Sequence, residues 1–143
     1  DISHLSDADK LPYILRWTAL PGCSRHHWGS DLDVYDLAAL PDGYQLQLVP
    51  EEYEIGGPFE RLGKLFNSWF DEEDGYGGFY RPYGVDNGGV AYEPWHISHI
   101  VTADAHYQAL TPAIVKSYLA KTDIAGRAVI LKNFEEIWRR YVA

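Results

Sequence analysis

Two short segments hold most of the chain's reactive side chains. Residues 24–33 read SRHHWGSDLD, and residues 93–96 read EPWH. Together they offer imidazoles, carboxylates and a spare glutamate. That set suffices for a hydrolytic zinc site: three protein ligands, one position left open for water, and a carboxylate to handle protons. If the two segments meet in the fold, the chemistry they support is metal-assisted hydrolysis.

Which imidazole faces a metal is not decided by periodicity. In extended chain His26 and His27 point to opposite sides, so one of them serves a given ion. Strand parity pairs His27 with Asp33. Pairing His26 with Asp33 requires a turn or bulge between them, which Gly29 can supply. Glu93 and His96 stand three apart, which puts both on one side of a tight turn or 3₁₀ segment. Pro94 stiffens that turn, and Trp95 is placed to wall a pocket. A glutamate beside a ligating histidine, without itself ligating, is the arrangement of a general base. The chain has no HExxH pattern, so the site is not built on a single helix.

The elements that must position these residues read as a mixed fold. Ser6-Asp7-Ala8-Asp9 can cap an N-terminal helix that Pro12 interrupts. Pro21-Gly22 and Pro41-Asp42-Gly43 are turn signals. Residues 30–37 are predicted as a strand, and 44–49, which alternate cleanly, as its hairpin partner. The spacing of Phe59, Leu62, Leu65, Phe66 and Trp69 predicts a helix over 58–70, with Pro58 suited to its first turn. Residues 71–78, acidic and glycine-rich, match neither an EF-hand nor a phosphate loop and read as a solvated, mobile loop. Asp86-Asn87-Gly88-Gly89 predicts a hairpin joining strands 79–85 and 90–95, which leaves Glu93 and His96 at a strand end. From Thr111 onward the pattern is helical, with one helix opened by Pro112 through Leu119 and another over 134–141. The sum is one α+β domain.

Bulk properties narrow the function. With 143 residues, 46% of them apolar, the chain can bury a core. Five Trp and eleven Tyr read as part of that core. A net charge of −9 argues against nucleic acid or an anionic membrane surface as the main partner. No apolar run is long enough to span a bilayer. The single cysteine, Cys23, excludes an intrachain disulfide and any zinc site built on several thiolates within the chain. It reads as a small, semi-buried residue and not as a nucleophile.

The pattern Ser24-x-His26-x-x-Gly29-x-Asp31-x-Asp33 resembles the S-x-H-x-x-G-x-A-x-D signature of the VanY-like D-alanyl-D-alanine carboxypeptidases, peptidase family M15. Glu93-Pro94-Trp95-His96 resembles the E-P-W-H of the same family, in the same order and at a fitting separation. The resemblance spans about Leu15 to His99. It implies a Hedgehog/D,D-peptidase-like zinc peptidase fold, with a small antiparallel sheet and flanking helices. It implies His26, Asp33 and His96 as Zn²⁺ ligands, Glu93 as general base and zinc-bound water as nucleophile. The implied reaction releases the terminal D-Ala of a peptidoglycan stem peptide, and the implied location is the cell envelope, periplasmic or extracellular. Relatives of this type also include L,D-carboxypeptidases, peptidoglycan endopeptidases and non-catalytic wall-peptide binders. Retention of Glu93 argues against the last. Ser24 is expected beside the metal, in contact with the substrate backbone.

Three departures stand out. Asp31 replaces the motif's small Ala and adds negative charge near the site. His99 stands where relatives often carry an aromatic and reads as a bystander. The family also places an Arg, often with a Gln, upstream of the first motif to hold the substrate carboxylate. No such segment precedes Leu15; residues 1–143 are expected to be a single zinc peptidase domain that either lacks an N-terminal segment or uses another Arg. Arg25 and Arg81 are the alternative cations.

Overall fold

The computed structural model describes residues 1–70 and 75–142. The described residues form six helices and a short antiparallel sheet: α1 (Asp7–Leu15), β1 (Asp31–Asp33), α2 (Glu60–Phe70), β2 (Phe79–Tyr80), β3 (His96–His99), α3 (Ile100–Ala109), α4 (Pro112–Lys121), α5 (Arg127–Lys132) and α6 (Phe134–Tyr141). Short 3₁₀ turns occupy Arg25–Trp28, Leu37–Ala39 and Pro50–Glu52. This is an α+β arrangement, as expected.

β3 is the central strand, in the order β1-β3-β2. It pairs antiparallel with β1, matching Asp31 to Ser98, Leu32 to Ile97 and Asp33 to His96. On its other edge Phe79 lies opposite His99, and Tyr80 opposite Ser98. Because side chains alternate along a strand, Asp31, Asp33, His96 and Ser98 all project from one face.

Two apolar clusters flank that face. The larger joins Leu15, Leu20 and Cys23 to Val115, Leu119, Ile130, Phe134 and Ile137 from the C-terminal helices. The smaller is aromatic, with Tyr53, Phe59 and Trp95 at its centre and Leu46, Leu48 and Leu62 packed around them. α2 seats on this second cluster at Gly63, where a β-carbon would come within 2.2 Å of the Tyr53 carbonyl. Only glycine allows that approach.

The helix signals hold. The Ser6 side chain accepts from the Asp9 N–H at the start of α1, and Thr111 does the same from Ile114 before Pro112 opens α4. α2 and α6 fall where the spacing places them. Pro12 does not interrupt α1, because its missing N–H falls on an exposed face where water can serve the Ala8 carbonyl.

Two strand expectations fail. Residues 44–49 form no strand and do not pair with 30–37, of which only Asp31–Asp33 is strand. The buried Glu52 is the reason. Its carboxylate accepts from the Tyr44 hydroxyl at 2.8 Å and from the Gln47 and Val49 N–H groups at 3.0 and 3.3 Å. Those amides are then unavailable to a ladder, and Leu48 between them takes the left-handed region at φ 52°. Burial opposes the charge on Glu52, but these donors outweigh it and hold its pKa below the ordinary carboxylate range.

The expected hairpin at residues 86–89 is not a tight turn between strands 79–85 and 90–95. β2 and β3 do pair antiparallel, but through the long excursion 81–95. At its tip Asp86 and Asn87 accept from the N–H groups of Gly88 and Gly89. Arg16 pairs with Asp86, and Arg140 donates to the Gly88 carbonyl. The tip is thus pinned by the two flanking helical regions and not by a strand partner. Residues 71–74 of the acidic loop lie outside the described residues, whereas Tyr76 and Phe79 close a turn by exchanging hydrogen bonds of 2.9 and 3.0 Å.

Replacing Glu52 by Ala strands three donors in a half-buried loop. A loss of about 2–4 kcal/mol is expected in a denaturant titration; a loss below about 0.5 kcal/mol would show that the carboxylate does not hold this loop.

Candidate metal centre

His26 rides on the 3₁₀ turn Arg25–Trp28, closed by Gly29 in the left-handed conformation at φ 70°. The turn removes the strand alternation assumed for the His26-His27 pair, and it delivers His26 to the cluster. Asp33 ends β1, and His96 begins β3 directly opposite it. One donor atom from each of His26, Asp33 and His96 lies within 4.8 Å of the others. The His26 Nε2 is 3.4 Å from Asp33 Oδ2, and His96 Nδ1 is 3.4 Å from Asp33 Oδ1. Glu93 joins them through the expected turn, in which the His96 N–H donates to the Glu93 carbonyl at 3.3 Å. Its carboxylate oxygen stands 3.3 Å from His96 Nδ1.

The cluster is open on one side and sealed on the other. The His26 and Asp33 side chains are 44% and 31% exposed, whereas that of His96 is 3% exposed. His96 Nδ1 is a buried nitrogen with no hydrogen-bond partner among the described residues. A polar atom left unsatisfied in this way is costly unless something occupies the space before it. Nitrogen and carboxylate oxygen donors of this kind fit Zn²⁺, and the exposed half leaves a coordination position for water, as hydrolytic and not structural sites do.

The other ring nitrogen of His96 is fully accounted for. Nε2 is 2.8 Å from Asp31 Oδ1. Asp31 also accepts from Arg25 Nε at 2.8 Å, from the Ser30 hydroxyl at 2.5 Å and from the Ser98 hydroxyl at 2.9 Å. Arg25 reaches on through Nη2 to Tyr80 and Ser98, 2.8 Å from each hydroxyl. Burial disfavours the ionised Asp31, but hydrogen bonds from His96, Ser30 and Arg25 more than offset it and hold its carboxyl well below the usual range. The expected extra negative charge of Asp31 is therefore not turned toward the open side; it lies behind His96, neutralised by Arg25.

A cleft of about 280 Å³ opens over the cluster. Leu15 and Cys23 wall it from the helical side, Leu48 and Trp95 from the aromatic side, and Ser24 and Arg25 line it as well. Tyr83 meets His96 edge-on, with ring centres 4.9 Å apart. A second cavity of about 290 Å³ adjoins it and shares Cys23, Arg25, Tyr83, Val90 and Tyr141. Arg81 is not among the residues lining the first cleft and donates to Asn67 Oδ1 at 2.9 Å. His99 bonds Thr102 at 2.9 Å and packs on Phe79, away from the cluster. Tyr83 and Leu48 carried no motif and were not singled out by the sequence.

An α+β chain with an open nitrogen–carboxylate cluster and an adjacent glutamate has the layout of a hydrolytic metal centre. The VanY family, described as D-alanyl-D-alanine carboxypeptidase, matches residues 3–102, and the chain belongs to it. It is a peptidase family, and its cell-wall chemistry implies a peptidoglycan peptide as substrate. The chain is also 34% identical over 125 residues to an uncharacterized protein of Haemophilus influenzae, covering 86% of this chain and 92% of that protein. No solved structure matches the chain significantly. Among the described residues no helix is long and apolar enough to cross a membrane.

Cys23 is buried and free, and burial pushes its thiol up to about 11. At pH 8 the native protein should therefore react with iodoacetamide about a hundredfold more slowly than the denatured chain. Equal rates would mean that the thiol is accessible and activated.

Proposed function

We propose that the chain is a zinc-dependent carboxypeptidase that releases the terminal D-Ala from peptidoglycan stem peptides ending in D-Ala-D-Ala. One observation carries the reading: the three donors of His26, Asp33 and His96 converge within 4.8 Å, with Glu93 3.3 Å from the buried end of the same imidazole. On this reading residues 1–143 are one zinc peptidase domain of the Hedgehog/D,D-peptidase type, working at the cell envelope. A zinc ion held by the three residues supplies a Lewis acid to the scissile carbonyl and lowers the pKa of water.

The chain's own residues do the rest. Glu93 takes a proton from the water that adds to the carbonyl of the penultimate D-Ala. It then passes that proton to the amine of the terminal D-Ala as the carbon–nitrogen bond breaks. Trp95 and Ser24 wall the cleft and are assigned contacts to the peptide. Arg25 is assigned the substrate carboxylate, since its guanidinium carries five N–H donors and Asp31, Tyr80 and Ser98 do not use them all. The adjoining cavity gives the remainder of the stem peptide room beside the same walls. Glu93 also speaks against a purely structural or peptide-binding zinc site, which needs no base.

The test is mass spectrometry of a pentapeptide ending in D-Ala-D-Ala, incubated with zinc-loaded protein. Loss of one alanine, blocked by a chelator, is the expected result. An intact pentapeptide together with cleavage of a tetrapeptide or a cross-linked dimer would reassign the enzyme as an L,D-carboxypeptidase or endopeptidase. Binding without cleavage of any of these would make it a binding module. Glu93→Ala should keep one zinc per chain and lose turnover on the order of 10³-fold. His96→Ala should lose the metal itself, as read by elemental analysis.

A further inference from the structure

We propose that Asp31 is a positioning residue of the metal centre: its buried carboxylate holds His96 with the proton on Nε2, so that the bare Nδ1 faces the cation beside His26 and Asp33. The inference rests on the zinc reading above and deepens it.

Asp33 is directly opposite His96, and Asp31 is the diagonal neighbour on the same face. One imidazole thus stands between two aspartates two residues apart. Its Nδ1 is 3.4 Å from Asp33 Oδ1, and its Nε2 is 2.8 Å from Asp31 Oδ1. The two contacts differ in kind. The Asp33 side chain is 31% exposed and shares its space with His26 and Glu93, whereas the Asp31 side chain is 0% exposed and makes a short bond to the ring.

Asp31 has one role open to it at that ring. It already accepts from a guanidinium and two hydroxyls. A carboxylate so surrounded is an acceptor only, and its partner on His96 must donate. A neutral imidazole that donates from Nε2 has its lone pair on Nδ1. That nitrogen is the buried atom without a hydrogen-bond partner. The hydroxyls of Ser30 and Ser98 hold one carboxylate oxygen, while Arg25 and His96 share the other, so Asp31 cannot swing away without stranding several donors. Ligating histidines oriented by a carboxylate at the far nitrogen are a general device for fixing tautomer and ring plane. The alternative is that Asp31 only neutralises Arg25 and ties β1 to β3.

Asp31→Asn separates the two. It keeps size and shape, but its amide can present N–H to Nε2 and stabilise the opposite tautomer, which puts the proton on Nδ1. Zinc affinity, measured by competition with a chromophoric chelator, should weaken about 10- to 100-fold. Ser98→Ala removes one donor to Asp31 and leaves the carboxylate on His96; its zinc affinity should stay within about threefold of the wild type. A second readout needs no variant. In zinc-loaded wild-type protein with ¹⁵N-labelled histidine, the His96 ring should show a slowly exchanging proton on Nε2 and a metal-bound Nδ1. An unprotonated or metal-bound Nε2 overturns the proposal, as does zinc binding in Asp31→Asn as tight as in the wild type. A wild-type chain that takes up no zinc removes the functional reading and this inference together. Tight wild-type binding that Asp31→Asn leaves unchanged removes this inference alone.

Discussion

Everything at the site depends on the register of one short strand pair. β1 and β3 together contribute few residues, yet their pairing sets Asp33 against His96 and Asp31 against Ser98. Strand side chains alternate, so a slip of one residue would turn both aspartates to the opposite face from the histidine. Leu32 would then stand beside His96 in the polar centre, and the aspartates would face Ile97. Such a short ladder does not specify its register by itself. The Arg25–Asp31 ion pair, the Ser98 hydroxyl and the Val34 N–H bonded to the Trp95 carbonyl do so from its flanks.

The centre joins two environments. Behind His96 lies a largely buried group in which Asp31, Arg25, Ser30, Ser98 and Tyr80 bond to one another, with Arg25 keeping donors to spare at the cleft. In front lies a wet half formed by His26, Asp33 and Glu93. Burying a charge is costly unless it is paired and bonded, and the rear group meets both conditions. The front half is open, with the His26 and Asp33 side chains 44% and 31% exposed. The ring of His96 is the boundary, with one nitrogen on each side. Without a metal, burial disfavours its charged form, but Asp31 and Glu93 outweigh that and raise its pKa above that of ordinary imidazole. A ring flanked by carboxylates on both edges attracts positive charge, whether a proton or a cation supplies it.

The clustering of His26, Asp33 and His96 was legible through the resemblance of two motifs, which singled out His26 where periodicity left it open against His27. The i, i+3 spacing of Glu93 and His96 becomes the turn it implied, and Gly29 supplies the bend between His26 and Asp33. The helices were readable where a cap or a regular apolar stripe marked them, as at Ser6, Thr111 and Phe134. α3 was not foreseen, since it follows β3 directly and starts at Ile100 with no side-chain cap from His99. Residues 44–49 misled because their alternation is that of a strand. The local competitor, a glutamate three to eight residues downstream that captures their donors, leaves no periodic trace. Asp31 was seen as a departure that adds negative charge near the site, and it does lie there, 2.8 Å from His96, but its place behind the ring was not legible. The signal that could have placed it is the Asp-x-Asp spacing set against His-x-Ser, but this becomes readable only once the two segments are known to pair antiparallel.

The separations along the chain give the rear group a history as well as a geometry. Arg25 and Asp31 are six residues apart, but Asp31 and His96 are 65 apart, and Arg25 and Ser98 are 73 apart. Contacts that distant close late, after a long stretch of chain has been made and ordered. During synthesis the arginine and aspartate emerge together as a solvated local pair of little strength. They become a buried unit only when the later strand docks. A growing chain therefore displays His26 and Asp33 before His96 exists to join them. Until that strand docks, the first two donors of the cluster stand without the third.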